Sequence, residues 1–545
     1  MLSPRLRIGE SPGVTLLAAA LVAGAALHFL GGNVVDPDLW GHVHYGQAIL
    51  AGDGLPRQDV FSYTAPGAPF YDHEWLSDLV LAALYGAGGT AALIVFKLLV
   101  GLLLLLALLD AAARLAERLT PGEAPHPLVV AAVLVTALAV ITPGASFRPQ
   151  LFTMLLLAAE LALLLRAERR LDDGVVLPWQ LAVLPLAMVP WANLHGGFLV
   201  GIGLLGVYCA AHLGCWGLAR VRGRNDGLTT RQAGALAATG IAVLLAPLVN
   251  PYGTELYAYL AATLDMHGEI REWRPISVLS VEYLRFKLLC VAALGAAAML
   301  LARTSRSDRA RTTLAWLVPY LALAAGLSFR HQRHSVLFGI AATPLVVVGV
   351  EQVRRAALRR WPALVPRPQV WIAIAGGALA IALVQVHGFA TQVARDGMAI
   401  RFGRLDYPID AVEFMRTHGI GGNVAMPFEW GAYAIAKLAP GSRVFIDGRF
   451  EAVYPPQVID DYFAFMHGTG DWERLLDAYP TDVVVVQRWR NIHPRLFART
   501  DLEYVYSDPA ALVFVRRSPA NAPALERLAS LDDRFDFPRN DTVFP

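Results

Sequence analysis

The side chains that could do chemistry in this chain are few and grouped. The first group is Val34-Val35-Asp36-Pro37-Asp38-Leu39-Trp40-Gly41-His42-Val43-His44-Tyr45. Two carboxylates one residue apart, held by Pro37, can chelate one divalent cation (Mg or Mn) or divide the roles of general base and support. A turn capped by an Asp is the plainer reading of the same residues. A second group, Asp72-His73-Glu74 before Trp75, offers either substrate contacts or the acidic cap of a helix N-terminus. Cations and amides follow: Arg148-Pro149-Gln150, Asn193-Leu194-His195, Arg271-Glu272-Trp273 and Arg330-His331-Gln332-Arg333. Arginine suits bidentate phosphate recognition, so Arg148, Arg271, Arg330 and Arg333 are candidates to hold a lipid-borne phosphate. Anchoring of helix ends against lipid headgroups is the alternative.

The elements that must position these groups are mostly apolar. Of 545 residues, 56% are hydrophobic and 17% are charged, against about 25% charged in a soluble domain. The apolar residues fall in long Ala/Leu/Val runs before residue 390, and eleven of these approach the roughly 20 residues a spanning helix needs. They cover 13–32, 90–113, 127–143, 151–166, 177–191, 197–219, 232–249, 287–302, 312–328, 335–352 and 370–388. The first resembles a signal peptide without a cleavage site and reads as a retained anchor. The run at 75–88 is too short to span and reads as an interfacial helix.

Basic residues set the orientation. With the N-terminus inside, the inside segments hold 20 Lys and Arg, among them Arg5, Arg7, Arg306 and Arg367, and the outside loops hold eight. The candidate site residues then share the outer face, as does the C-terminal region. Only Lys97, Lys287 and Lys437 are lysines, and this Arg bias with abundant Ala is typical of a GC-rich bacterial genome. The expected location is a bacterial inner membrane, with the C-terminal domain periplasmic. A formal net charge of +2 gives no nucleic-acid signature, and Cys209, Cys215 and Cys290, all in apolar runs, give neither a disulfide framework nor a zinc spacing.

The expected domains are a transmembrane part over 1–388 with its first outside loop at 33–89, an α/β domain over 389–520, and an irregular tail over 521–545. Helices at Ile409–His418, Trp430–Leu438, Gln457–Met466 and Trp472–Ala478 alternate with strands at Asn423–Met426, Val444–Asp447 and Asp482–Gln487. Edge strands are expected near Tyr504–Tyr506 and Ala511–Arg516. This alternation predicts a largely parallel sheet.

An acidic motif directly after the first span, an outside loop ending in an interfacial helix, and many spans together resemble the GT-C superfamily of membrane glycosyltransferases. Asp36-Pro37-Asp38-Leu39-Trp40 is similar to the first-loop Asp-Pro-x-aromatic motif of the oligosaccharyltransferase catalytic subunit. Phe428-Glu429-Trp430-Gly431 with Asp447-Gly448-Arg449 resembles that subunit's Trp-Trp-Asp-Tyr-Gly region. Arg148-Pro149-Gln150 stands where a second Asp-x-Asp would be sought.

The resemblance implies an inverting sugar transfer from a polyprenyl-phosphate-linked donor to a glycan, lipid or protein acceptor at the outer membrane face. Asp36, and then Asp38, would act as base, and the four arginines would bind the donor phosphate. His42, Asp72, His73, Glu74, Gln150, Asn193, His195, Glu272, Glu429, Trp430, Asp447 and Arg449 would contact substrate. A transporter of lipid-linked glycan would instead show repeated halves and mid-membrane charges, whereas here no repeat is visible and the polar residues cluster at one face. A non-catalytic scaffold of surface-polysaccharide assembly is the third reading, and it predicts that Asp36 and Asp38 are dispensable.

Overall fold

The computed structural model describes residues 12–224, 227–262, 271–303, 308–362, 368–403, 405–530 and 542–545. Arg5, Arg7, Arg306 and Arg367 lie outside them. The first helices are α1 (Pro12–Leu30), α2 (Leu39–Ala51), α3 (Trp75–Leu119), α4 (Pro127–Ile141), α5 (Gln150–Asp172), α6 (Trp179–Ala182) and α7 (Leu184–Leu194). Then come α8 (Phe198–Val221), α9 (Thr230–Leu245), α10 (Glu255–Ala262), α11 (Leu284–Arg303), α12 (Asp308–Arg330), α13 (Ser335–Arg360) and α14 (Pro368–Asp396). The remainder is α15 (Ile409–His418), β1 (Gly422–Ala425), α16 (Phe428–Leu438), β2 (Ser442–Val444), α17 (Pro456–His467), α18 (Arg474–Asp477), β3 (Val483–Gln487), α19 (His493–Ala498), β4 (Leu502–Ser507), β5 (Ala511–Arg516) and α20 (Ala522–Ala529).

The chain divides into two compact units. The first comprises 1–32, 94–253 and 267–397, and the second 33–93, 254–266 and 398–545. Among the described residues, ten helices are long and apolar enough to cross a membrane. The protein is a multi-pass membrane protein. The run at 177–191, expected as an eleventh span, folds instead as the two short helices α6 and α7. Pro185 opens α7 and Pro190 lies inside it, and each removes a backbone donor that a continuous helix requires. α3 is also two pieces, broken at Gly88 and at Gly89, whose φ of 59° suits a residue without Cβ. The break separates 75–87 from the apolar stretch that follows.

In the first unit α13 is central, packed by α4, α11 and α12, and 83% of its apolar window is buried against 6% for α14. The expected avoidance of mid-membrane polar groups does not hold there. Glu160, at the middle of α5, is buried inside the bundle, as is Glu168 near the helix's end.

The second unit is built on a five-stranded sheet of order β2-β1-β3-β5-β4. β2, β1 and β3 run parallel, but β5 is antiparallel to β3 and β4 to β5, so the sheet is mixed and not largely parallel. The reason is local: Asp508–Ala510 joins β4 to β5, and so short a connection permits only antiparallel pairing. The Asp508 carboxylate accepts the N–H groups of Ala510 and Ala511, both at 2.7 Å, which closes the turn. β5 is therefore internal and β4 is at the edge. β3, Val-Val-Val-Val-Gln, is buried throughout.

The segment 33–93 belongs to this unit, and Phe61–Tyr63 pairs with β2 through Val444 N–H to the Phe61 carbonyl (3.0 Å) and Tyr63 N–H to the Val444 carbonyl (3.2 Å). α20 stands where composition predicts an irregular tail. Residues 531–541 of that tail lie outside the described residues.

Candidate functional site

In the second unit the two sequence motifs meet. Asp36 is 7% exposed, and its Oδ1 accepts the Asp38 N–H at 3.1 Å. Asp38 stands at the N-terminus of α2 but makes no side-chain capping bond, so the plain cap reading does not describe it. Trp40 anchors α2 among Phe402, Tyr407, Tyr433 and Phe544, with ring centroids 4.7–5.3 Å apart. Beside it α2 packs on α16, where a Cβ on Gly41 would meet Ala432 at 3.6 Å. α16 in turn supports the Asp447-Gly448-Arg449 loop, since a Cβ on Gly431 would lie 2.8 Å from the Asp447 Cα. A Cβ on Gly448 would approach Asp38 Oδ1 to 2.9 Å. The Asp38 carboxylate thus faces the C-terminal motif at one glycine.

One turn along α2, His42 Nδ1 lies 2.6 Å from Asp78 Oδ1. α2 and the start of α3 touch at Gly46, where a Cβ would strike the Asp78 carbonyl. Asp78 also interacts directly with the Asp72 carboxyl. Burial, and then the Asp78 charge, push Asp72 well above the usual carboxylate range. Its Oδ2 is buried and has no hydrogen-bond partner among the described residues. A neutral acid beside an imidazole fixed by a carboxylate can pass protons. Glu74 and His73 are 3.6 Å apart, and the His73 ring packs 5.1 Å from Tyr259.

Tyr45 of α2 feels the charges of both Asp78 and Arg449, which makes a second ionic cluster a neighbour of the first. Arg449 Nη2 forms an ion pair with Asp59 Oδ1 (2.7 Å) and donates to Asp447 Oδ2 (2.6 Å) and the Tyr454 hydroxyl (3.2 Å), while its Nε donates to Asp447 Oδ1 at 2.8 Å. Burial alone would pull the Arg449 pKa down, but Asp447 together with Tyr45 and Tyr454 more than offsets this and holds it well above its usual value. Nη1 is buried without a partner among the described residues. Glu429, in the first turn of α16, is likewise raised by burial, and its Oε2 is buried and unpartnered among those residues.

In the first unit the arginine loops gather. Arg148 Nη1 donates to both Glu272 oxygens, at 3.0 and 3.2 Å, and Arg333 lies over the Trp273 ring at 4.5 Å. The Ile276 N–H to Phe329 carbonyl (2.9 Å) and Gln332 N–H to Arg274 carbonyl (3.1 Å) bonds join the two loops. Arg330 ends α12 in one of them. The side chain of Arg271 lies outside the described residues.

Other expected substrate contacts are occupied with folding. Gln150 Nε2 donates to the Gly144 carbonyl (2.9 Å), and Asn193 Nδ2 to the Val189 and Val249 carbonyls (2.8 and 2.9 Å). His195 Nδ1 contacts Thr153 Oγ1 at 2.8 Å and accepts the Gly197 N–H at 2.9 Å. Trp430 is 1% exposed and donates to the Asp406 carbonyl at 2.6 Å. Asp59, Asp78 and Tyr454 were not singled out from sequence. Asp78 carried a signal, four residues beyond Glu74 on one helix face; Asp59 carried none.

No family model matches the chain, and no curated protein matches it in sequence. Among solved structures it is similar to the apo oligosaccharyltransferase of Archaeoglobus fulgidus, with a TM-score of 0.56 and 11% identity over 86% of this chain and 69% of that one. The archaeal oligosaccharyltransferase AglB from the same organism, in complex with an inhibitory peptide and a dolichol-phosphate, matches at 0.56 and 12% identity over 87% and 69%. The form tethered to an acceptor peptide matches at 0.52 and 11% over 92% and 74%. The fold is that of the GT-C membrane glycosyltransferases. Asp36 and Asp38 are the pair that the sequence offers as cation ligands. Among the described residues no group of three or more His, Cys, Asp or Glu side chains is placed to hold a metal ion.

Proposed function

We propose that the protein is a membrane glycosyltransferase that moves a sugar from a polyprenyl-phosphate-linked donor to an acceptor on the periplasmic face of a bacterial inner membrane. The observation that carries this reading is the seating of Asp38 against Gly448, which joins the two motifs of a GT-C fold. Asp36 or Asp38 takes the proton of the acceptor hydroxyl as its oxygen attacks the anomeric carbon, and the lipid phosphate leaves with the bonding pair. Attack opposite the leaving group inverts the anomeric centre. Arg148, Arg330 and Arg333 supply positive charge for a phosphate, since guanidinium groups stabilise such developing charge. The AglB complex with a dolichol-phosphate supports a polyprenyl carrier as the donor class.

The test uses the purified full chain in proteoliposomes with radiolabelled polyprenyl-phosphate hexoses and pentoses, following release of polyprenyl phosphate. Asp36→Asn should lower turnover by about 10²–10⁴-fold, as loss of a general base does, with Asp38→Asn equal or weaker. A folded Asp36→Asn/Asp38→Asn double variant with wild-type transfer would refute the assignment.

A further inference from the structure

The first unit holds polar side chains that the proposed transfer does not use. Three of them, Thr153, Glu160 and Glu168, lie on one face of α5 and extend over about 22 Å at 1.5 Å per residue. That distance is most of a hydrocarbon core. At the Glu168 end the carboxylate is engaged. Glu168 accepts from Thr313 Oγ1 (2.6 Å) and Trp316 Nε1 (2.8 Å), pairs with Arg118 Nε (3.1 Å), and lies 3.4 Å from His212 Nε2. At the Thr153 end, Trp191 Nε1 donates to Thr153 Oγ1 at 2.8 Å, and His195 Nδ1 meets the same oxygen at 2.8 Å.

The middle is different. Glu160 is buried, and among the described residues neither carboxyl oxygen has a hydrogen-bond partner; the same is true of the buried Tyr208 and Tyr320 hydroxyls. These groups bridge the two ends. A Cβ on Gly201 would lie 2.7 Å from Glu160 Oε2 and 2.6 Å from the Trp191 ring, which places the carboxyl beside the tryptophan that holds Thr153. Glu160 interacts electrostatically with Tyr320, and Tyr208 with Glu168. Tyr208 also packs on His212 at 4.3 Å and on Trp316 at 5.4 Å. Leucine would pack this position without burying a carboxyl in hydrocarbon. A buried acid facing the bundle interior, with a tyrosine hydroxyl interacting with it, is the arrangement of a proton path.

We propose that the first unit conducts protons along this file, with Glu160 as the mid-membrane carboxyl through which each proton passes. Glu160 releases its carboxyl proton toward the Tyr320 and Tyr208 hydroxyls and takes another from the Thr153–His195 side. Each hydroxyl donates its own proton as it accepts one, and His212 and Glu168 pass the proton out. The file is regenerated, and one positive charge has crossed. The proposal does not depend on the glycosyltransferase reading.

The full chain is reconstituted into vesicles containing a pH-sensitive dye, and a valinomycin-set potassium potential drives proton entry. Wild-type vesicles should acidify several-fold faster than protein-free ones, and Glu160→Gln should return to the protein-free rate. Wild-type entry no faster than that of protein-free vesicles, or unchanged entry in Glu160→Gln, overturns the proposal. If Glu160→Gln is not recovered folded, Tyr320→Phe, which removes one hydroxyl and keeps the ring, decides by the same criterion: slowed entry supports the path and wild-type entry overturns it.

Discussion

Replacing Arg449 by Met should unfold the second unit more readily than any surface change. Arg449 is buried and is bonded to Asp59 and Asp447, both 1% exposed. Methionine fills similar volume but leaves those two carboxylates facing each other without a cation. Asp59 keeps the Ser62 hydroxyl (2.5 Å) and the Ser62 N–H (3.1 Å), and Asp447 keeps the Tyr454 hydroxyl (3.0 Å), so part of their solvation survives. Breaking a buried pair in this way costs about 3–5 kcal/mol. For a unit of 150–250 residues each kcal/mol lowers Tm by roughly 2–4 °C, so a cost near 4 kcal/mol predicts a fall of about 8–16 °C. Arg449→Lys keeps the charge but loses the planar fork and should fall between. The assay is the thermal midpoint of the purified full chain in detergent, followed by size-exclusion recovery after heating. A midpoint for Arg449→Met within about 2 °C of wild type would refute the argument that this knot holds the unit together.

Three further outcomes are expected. Asp72 titrates above its ordinary value because it is buried beside Asp78. Between about pH 4 and its raised pKa the folded state therefore holds a proton that the unfolded state has lost, and stability falls by about 1.4 kcal/mol per pH unit as pH rises. Asp78, raised by the same burial, adds to that slope, so Asp72→Asn should lessen it without abolishing it in a series of melts, and an unchanged slope counts against the shift. Arg148→Ala removes a charged hydrogen-bond donor worth about 1.5–3 kcal/mol, so kcat/KM for a polyprenyl-phosphate donor should fall roughly 10- to 150-fold, mostly through KM; an unaffected KM would leave Arg148 as a partner of Glu272 only. Reporter fusions after Arg170, Arg224 and Arg360 should read cytoplasmic and those after Pro275 and Gly448 exterior. This requires the α6–α7 pair, about 24 Å of helix, to cross the membrane, and an exterior reading after Arg224 would show that it does not.

The spans were legible because a 20-residue apolar run has few other uses. β3 was legible because Asp482-Val-Val-Val-Val-Gln487 is flanked by polar residues and too short to be a helix. What sequence hid was the outcome of competition between elements. The run at 177–191 has the hydropathy of a span, but Pro185, where α7 opens, decides against one helix. α2 read as a loop motif because His42, His44 and two glycines dilute its apolar pattern, and it is the packing of Trp40 in its aromatic cage and Gly46's contact with α3 that hold it helical. The sense of β5 depended on Asp508 closing a turn. Partners such as Asp59 with Arg449 lie far apart in the chain, and nothing local at Asp59 announces the pairing.

The candidate residues then divide by whether the fold has used up their bonding capacity. Trp430 has one donor, and the Asp406 carbonyl takes it. Asn193 gives its amide to two helix-end carbonyls, and His195 closes its own turn. Such side chains explain the local shape and have little left to offer a substrate. Asp72 Oδ2, Glu429 Oε2 and Arg449 Nη1 are each buried with bonding capacity to spare, and a fold retains costly polar atoms where something else uses them. All three belong to the second unit, as do Asp36 and Asp38. The first-loop motif therefore belongs to a compact unit that the chain assembles from its first loop and its C-terminal α/β domain. A motif read as a short loop after a span is in fact one wall of that unit, which is why the Asp38 carboxylate can be held against a glycine more than four hundred residues away.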